Sequence, residues 1–214
     1  MFTFDRAVSE GRATQGDNQN GKGDFFTDLL RALLKNCSGK NLSARPPQPG
    51  LVFRRHALDA AYPTIGDDVE VLIETKVLGA PKNPRNPSQR NPLGRRGSSD
   101  LDKRLKEAGL KTIDLKAEGA RRAGQGGGPT GDFVSWLRRC KPSCYLLLAV
   151  RVIGEADLAL TLRQASAANM VMDGCGIVCY APDKRGRYIL QDVDTQLELD
   201  RVLSRICVQL RNLP

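Results

Sequence analysis

Six consecutive apolar residues, Tyr145-Leu146-Leu147-Leu148-Ala149-Val150, set the tightest limit on how this chain can fold. Extended, such a run spans roughly 20 Å, whereas a membrane-spanning helix needs about 20 apolar residues. The segment therefore reads as a buried strand over 144–152. Two further runs have the same character. Residues 69–78 are rich in β-branched side chains with no breaker, and 176–180 read as another buried strand, its start Gly176-Ile177-Val178 flanked by Cys175 and Cys179. Helical spacing fills the intervals: 132–140 around Trp136, 157–168, and 197–210 with Leu199, Val202, Leu203, Ile206 and Leu210 on one face. Buried strands alternating with helices predict an α/β chain, a mixed central β-sheet flanked by helices.

Before the first of these strands the signals are more local. Residues 1–20 are polar and read as a loose arm, after which Asp24 caps a helix running to about Asn36. Its apolar residues form two rows, Phe25, Leu29, Leu33 and Phe26, Leu30, Leu34. Residues 51–53 and 57–62 read as strands and 64–68 as a turn. Residues 79–99 carry four prolines, so they form no regular element. A short charged helix is expected over 101–108, an extended piece over 111–116 and a flexible glycine-rich loop over 123–131. At 214 residues the chain fits one sizeable domain, or at most two small ones; we read 1–214 as one.

The formal charge of +9 favours a polyanionic partner. It is also clustered: residues 79–99 hold Lys82, Arg85, Arg90, Arg95 and Arg96 and no acid, which suits phosphate contact. No apolar signal core opens the chain and no run is long enough for a membrane, so the expectation is a cytoplasmic protein. Cys140 with Cys144, and Cys175 with Cys179, share a C-x3-C spacing. Structural zinc prefers tighter pairs or added histidines, and His56 is the only histidine, so all six cysteines are expected as reduced, buried thiols.

The chemistry concentrates at the polar end of the first strand. Glu74 and Lys76 are two residues apart, so they face the same way while Thr75 faces the other. Asp59 lies fifteen positions before Glu74, and a hairpin turning near 62–69 returns it to the same end of the sheet. Two carboxylates and an ammonium converging there can hold a divalent cation and position a water.

Leu58-Asp59 followed by Ile73-Glu74-Thr75-Lys76 resembles the signature of the PD-(D/E)xK nucleases, the superfamily that includes most type II restriction endonucleases, with leucine in place of the leading proline. The element order over about 22–180 resembles that family's core. The resemblance implies a magnesium-dependent, sequence-specific double-stranded DNA endonuclease acting as a homodimer. Asp59 and Glu74 would bind Mg2+ with the Thr75 carbonyl, and Lys76 would orient or help deprotonate the attacking water and steady developing charge. An acid from the first helix often joins such sites, and Asp28 is the secondary candidate. Lys82, Arg85, Arg90, Arg95 and Arg96 would contact DNA.

A rival D-x-K stands at Asp114-Leu115-Lys116, and Lys111 or Lys116 could also serve phosphate binding. His56 is the only histidine available as a base, and no nucleophile-elbow or phosphate-loop motif occurs. The alternatives are a repair or recombination nuclease with the same core and a DNA-binding module that lacks catalysis.

Overall fold

The computed structural model describes residues 1–44, 47–64, 69–84, 93–124, 132–183, 185 and 187–214. In chain order the elements are α1 (Phe2–Ser9), α2 (Gln15–Ser38), β1 (Ser43–Ala44), β2 (Pro47–Gln48), β3 (His56–Ala57), β4 (Ala60–Tyr62) and β5 (Val71–Leu78). There follow α3 (Ser98–Arg122), α4 (Phe133–Arg139), β6 (Ser143–Arg151), α5 (Glu155–Ala168), β7 (Gly174–Pro182), β8 (Tyr188–Gln191) and α6 (Leu199–Asn212).

Six strands form one mixed sheet in the order β1-β4-β5-β6-β7-β8, and β2 and β3 form a separate ribbon. The centre, β5-β6-β7, is parallel; β1, β4 and β8 add to its edges antiparallel. Strand alternation sorts the core into two layers. Val71, Ile73, Tyr145, Leu147 and Ala149 face α2 and α6, meeting Phe26, Leu30, Val202 and Ile206. Leu78, Leu146, Leu148, Val150 and Ile177 face α3 and α5, meeting Leu101, Ala108 and Ala165. Covering both faces explains why β6 is apolar at nearly every position. The α/β class and the helix-flanked mixed sheet are thus as expected. No described helix is long and apolar enough to cross a membrane.

Several expectations are corrected. The N-terminal arm is helical. Thr14 and Asp17 form a reciprocal capping box, so α2 starts at Gln15 and Asp24 lies inside it rather than capping it. Of the two apolar rows on α2, Phe26, Leu30 and Leu34 are buried, while Phe25, Leu29 and Leu33 stay about half exposed. Residues 51–53 are not a strand: Leu51, Val52 and Phe53 are exposed, and the Asp114 carboxylate takes the amides of Val52 and Phe53. The expected short helix and extended piece are one helix, α3, because Leu101, Leu105, Ala108, Thr112 and Leu115 keep a single helical stripe against the sheet. Cys37 and Cys207 are joined in a disulfide between α2 and α6, with Cα atoms 6.0 Å apart. They are therefore not reduced thiols; Cys140, Cys144, Cys175 and Cys179 are free and buried. Most of the glycine-rich loop and of the turn at 64–68 lies outside the described residues.

A polar knot sits at the C-terminal ends of the parallel strands. Lys22, fully buried, donates to Asp5 (2.8 Å) and to the Gly79 carbonyl (3.0 Å). Asn18 also donates to Asp5 (2.9 Å), and Tyr188 bonds the other Asp5 oxygen. Arg151 donates to Tyr188 (3.2 Å) and to the Leu93 carbonyl (3.0 Å).

Candidate active site

The antiparallel β4–β5 ladder ends at the pair Ala60 and Ile73, leaving the edge of β5 beyond Ile73 without a strand partner on that side. Asp59, just before β4, fills the gap. Its Oδ2 accepts the Thr75 amide (2.7 Å), the Thr75 hydroxyl (3.2 Å) and the Lys76 ammonium (3.2 Å). Because N–H and C=O of one strand residue point to the same side, the Thr75 carbonyl opens toward the same spot.

Lys76 occupies that spot. Its Nζ lies 3.2 Å from Asp59 Oδ2, 2.9 Å from Glu74 Oε2 and 2.8 Å from the Thr75 carbonyl oxygen. The geometry therefore brings together Asp59, Glu74 and Lys76, with the Thr75 carbonyl as the third oxygen. The other Glu74 oxygen is held by Lys111 of α3 (2.5 Å), which also donates to the Ala57 carbonyl (2.8 Å). Two carboxylates facing two ammoniums leave the cluster formally neutral. Lys111 belongs to no part of the D…ExK pattern; only the position of α3 across the sheet brings it here.

Burial pulls the Lys76 ammonium toward deprotonation, but Glu74 and then Asp59 outweigh it and raise its pKa above the ordinary 10.5. Lys76 therefore carries its charge at neutral pH. The sign follows by linkage: a raised folded-state pKa stabilises fully below the unfolded value and is lost as pH rises through the folded one. Wild-type stability should fall as pH climbs past about 10.5, and Lys76→Met should lack that part of the alkaline limb in urea melts across pH 9 to 12.

Asp59 and Thr75 also line a cleft of about 500 Å3 against α2. Thr27 on its wall shares a 2.6 Å hydroxyl bond with Thr75. Asp24 and Asp28 line the same cleft, so its acids suit a cation better than a phosphate; Asp28 is well exposed and also paired with Arg31 (3.2 Å). Three oxygens around one cation, two of them from carboxylates, are a donor set that fits magnesium, which commonly takes one or two carboxylates and keeps several waters. No group of three or more His, Cys, Asp or Glu that could hold a metal gathers among the described residues.

The rival pair does not converge. Asp114 and Lys116 sit two residues apart on a helix and point to different sides. Asp114 is bound by His56 (2.7 Å) and by the amides of Val52 and Phe53. Burial would push its carboxyl up, but those donors outweigh burial and hold it below its usual value. Lys116, almost wholly buried, reaches the carbonyls of Leu137 (2.7 Å) and Cys140 (3.0 Å) and the Asp173 carboxylate (2.8 Å). Both are structural ties, and the Asp114 contact occupies His56 as well.

The basic excursion leaves directly from the site strand. Ala80 and Arg95 exchange two backbone hydrogen bonds (3.2 and 2.7 Å), closing its neck. Gly94 has φ +95°, and a Cβ there would strike the Ala80 carbonyl, so this closure requires glycine. Lys82, Arg95 and Arg96 are exposed on the neck, Arg95 paired with Asp100; Arg85 and Arg90 lie outside the described residues. Comparison with family models, with curated proteins and with solved structures finds no match to this chain.

Proposed function

We propose that the chain is a magnesium-dependent, sequence-specific endonuclease of double-stranded DNA, a type II restriction enzyme of the PD-(D/E)xK kind. The observation that carries this reading is the Lys76 ammonium ringed by Asp59 Oδ2, Glu74 Oε2 and the Thr75 carbonyl. Those are the three oxygens that the resemblance assigns to Mg2+. A magnesium ion held among those oxygens, with the Lys76 ammonium displaced from between them, would supply an acidified water and offset charge on the scissile phosphate.

The chain's own groups do the rest. Lys76 and Lys111 present two ammoniums where negative charge builds in hydrolysis. Asp59 and Glu74 orient both lysines and keep the pocket polar. Lys82, Arg95 and Arg96 lie on the neck that follows β5, so a duplex lying along it would present phosphates to the lysines. Cutting both strands of a palindrome needs two sites about a twofold axis, so the reading carries a homodimer. It also carries a cytoplasmic location and a place in a restriction–modification system.

The test is plasmid cleavage. Discrete fragments with Mg2+, abolished by EDTA, are the expected result. A non-specific smear would favour repair or recombination chemistry. Tight duplex binding with no cutting at any Mg2+ concentration would leave a DNA-binding module.

A further inference from the structure

The other end of the sheet carries a second polar opening that the proposed hydrolysis does not use. A cleft of about 770 Å3 lies over the start of β6, between α4 and α6. Arg138 enters it from α4, and Arg201 and Arg205 from successive turns of α6.

The charge in this cleft is not balanced from within. Among the described residues none of the three arginines forms a salt bridge, whereas Arg104 and Arg187, equally at the surface, pair with Glu107 and Asp183. Arg205 spends one N–H on the Asp173 carbonyl (2.8 Å); Arg138 makes a long contact to the Asn169 carbonyl (3.5 Å) and is within electrostatic reach of Asp132, which does not line the cleft. Arg201 has no partner among the described residues. Among the described residues that line it, the only acid is Asp173. Its Oδ2 is already held by the Cys144 amide (2.7 Å) and by buried Lys116 (2.8 Å).

Met172, Val202 and Tyr145 supply apolar wall between the guanidiniums. The size matches a ligand pocket, for which roughly 300–1,000 Å3 is usual. The position separates it from the carboxylates. Tyr145 and Val202 belong to the α2–α6 layer, while Glu74 and Lys76 face the other way. Lys76 is in register with Leu148, five residues beyond Ser143 along β6, or roughly 17 Å.

We propose that this cleft binds a small phosphorylated ligand of nucleotide size, its phosphates held by Arg138, Arg201 and Arg205 and its apolar part against Met172 and Val202. Guanidinium is suited to the role because its donors match phosphate oxygens in pairs.

Calorimetric titration of the full chain in EDTA, at low salt, tests this with ATP, AMP and unphosphorylated adenosine. Expected are sub-millimolar binding of ATP, weaker binding of AMP and none of adenosine. Arg201→Ala/Arg205→Ala should weaken ATP at least about tenfold, and Arg138→Ala, on a different helix, should weaken it independently. All three positions are exposed, so the variants should melt like wild type. The proposal is overturned if ATP does not bind or binds the double variant equally. It is also overturned if the double variant loses affinity for a DNA duplex while no nucleotide binds, which would make the cleft a nucleic-acid surface. None of these readouts depends on cleavage, so a failure here is separate from a failure of the nuclease reading.

Discussion

Lys76→Ala is expected to lower magnesium-dependent DNA cleavage by about 10²–10³-fold, the usual cost of removing one group that stabilises developing charge. Duplex affinity should change by only a few-fold, because the neck residues Lys82, Arg95 and Arg96 are untouched. The diagnostic contrast is with Glu74→Ala. Removing Lys76 frees the position among Asp59 Oδ2, Glu74 Oε2 and the Thr75 carbonyl, so Mg2+ affinity should hold or rise while cleavage falls. Removing Glu74 takes away a carboxylate that both lysines share, so Mg2+ affinity and cleavage should fall together. Calorimetric Mg2+ titration beside single-turnover cleavage separates the two. Normal cutting by either variant would sink the assignment of the site.

The second large effect concerns stability. Asp5→Ala should cost about 3–5 kcal/mol, because it strands a fully buried Lys22 with only the Gly79 carbonyl as partner. Burial already pushes the Lys22 ammonium toward deprotonation, which Asp5 opposes and Arg151 reinforces. Replacing both partners with apolar residues, as in Asp5→Leu/Lys22→Met, should recover much of the loss, since neither charge is then left alone. Urea midpoints of Asp5→Ala and of the double variant read this directly. A single-variant shift near zero would mean that α1 does not contribute to the folded domain.

What the amino-acid pattern revealed, and what it concealed, divides by range. Strands β5, β6 and β7 were legible because runs such as Tyr145 to Val150 are buried on both faces, and helix α6 because Leu199, Val202, Leu203, Ile206 and Leu210 keep one face. Asp59, Glu74 and Lys76 were legible because alternation and one short hairpin suffice to bring them together. Lys111 was singled out for phosphate binding, but its contact with Glu74 was not legible, since nothing local says that the middle of α3 crosses over Glu74. Helix α3 itself was misread because its second half, from Lys111 to Lys116, alternates like a strand; only packing on the sheet decides the period. Asp5 and Asn18 read as part of a polar arm, and Lys22 stands unmarked beyond it, because their partners, Gly79 and Tyr188, lie far along the chain. The disulfide was hidden for the same reason, its two cysteines being separated by 170 positions.

The closed neck at Ala80 and Arg95 uncouples the length of the excursion from the sheet. Lys22 fastens its start through Gly79, and Arg151 fastens its end through Leu93 and Gly97. Whatever chain lies between 84 and 93 enters and leaves through fixed points. Lengthening such a closed segment costs little, roughly 0.6 kcal/mol for each doubling. A change of length between 84 and 93 should therefore cost the sheet little, and Asp59, Glu74 and Lys76 should keep their places beneath it.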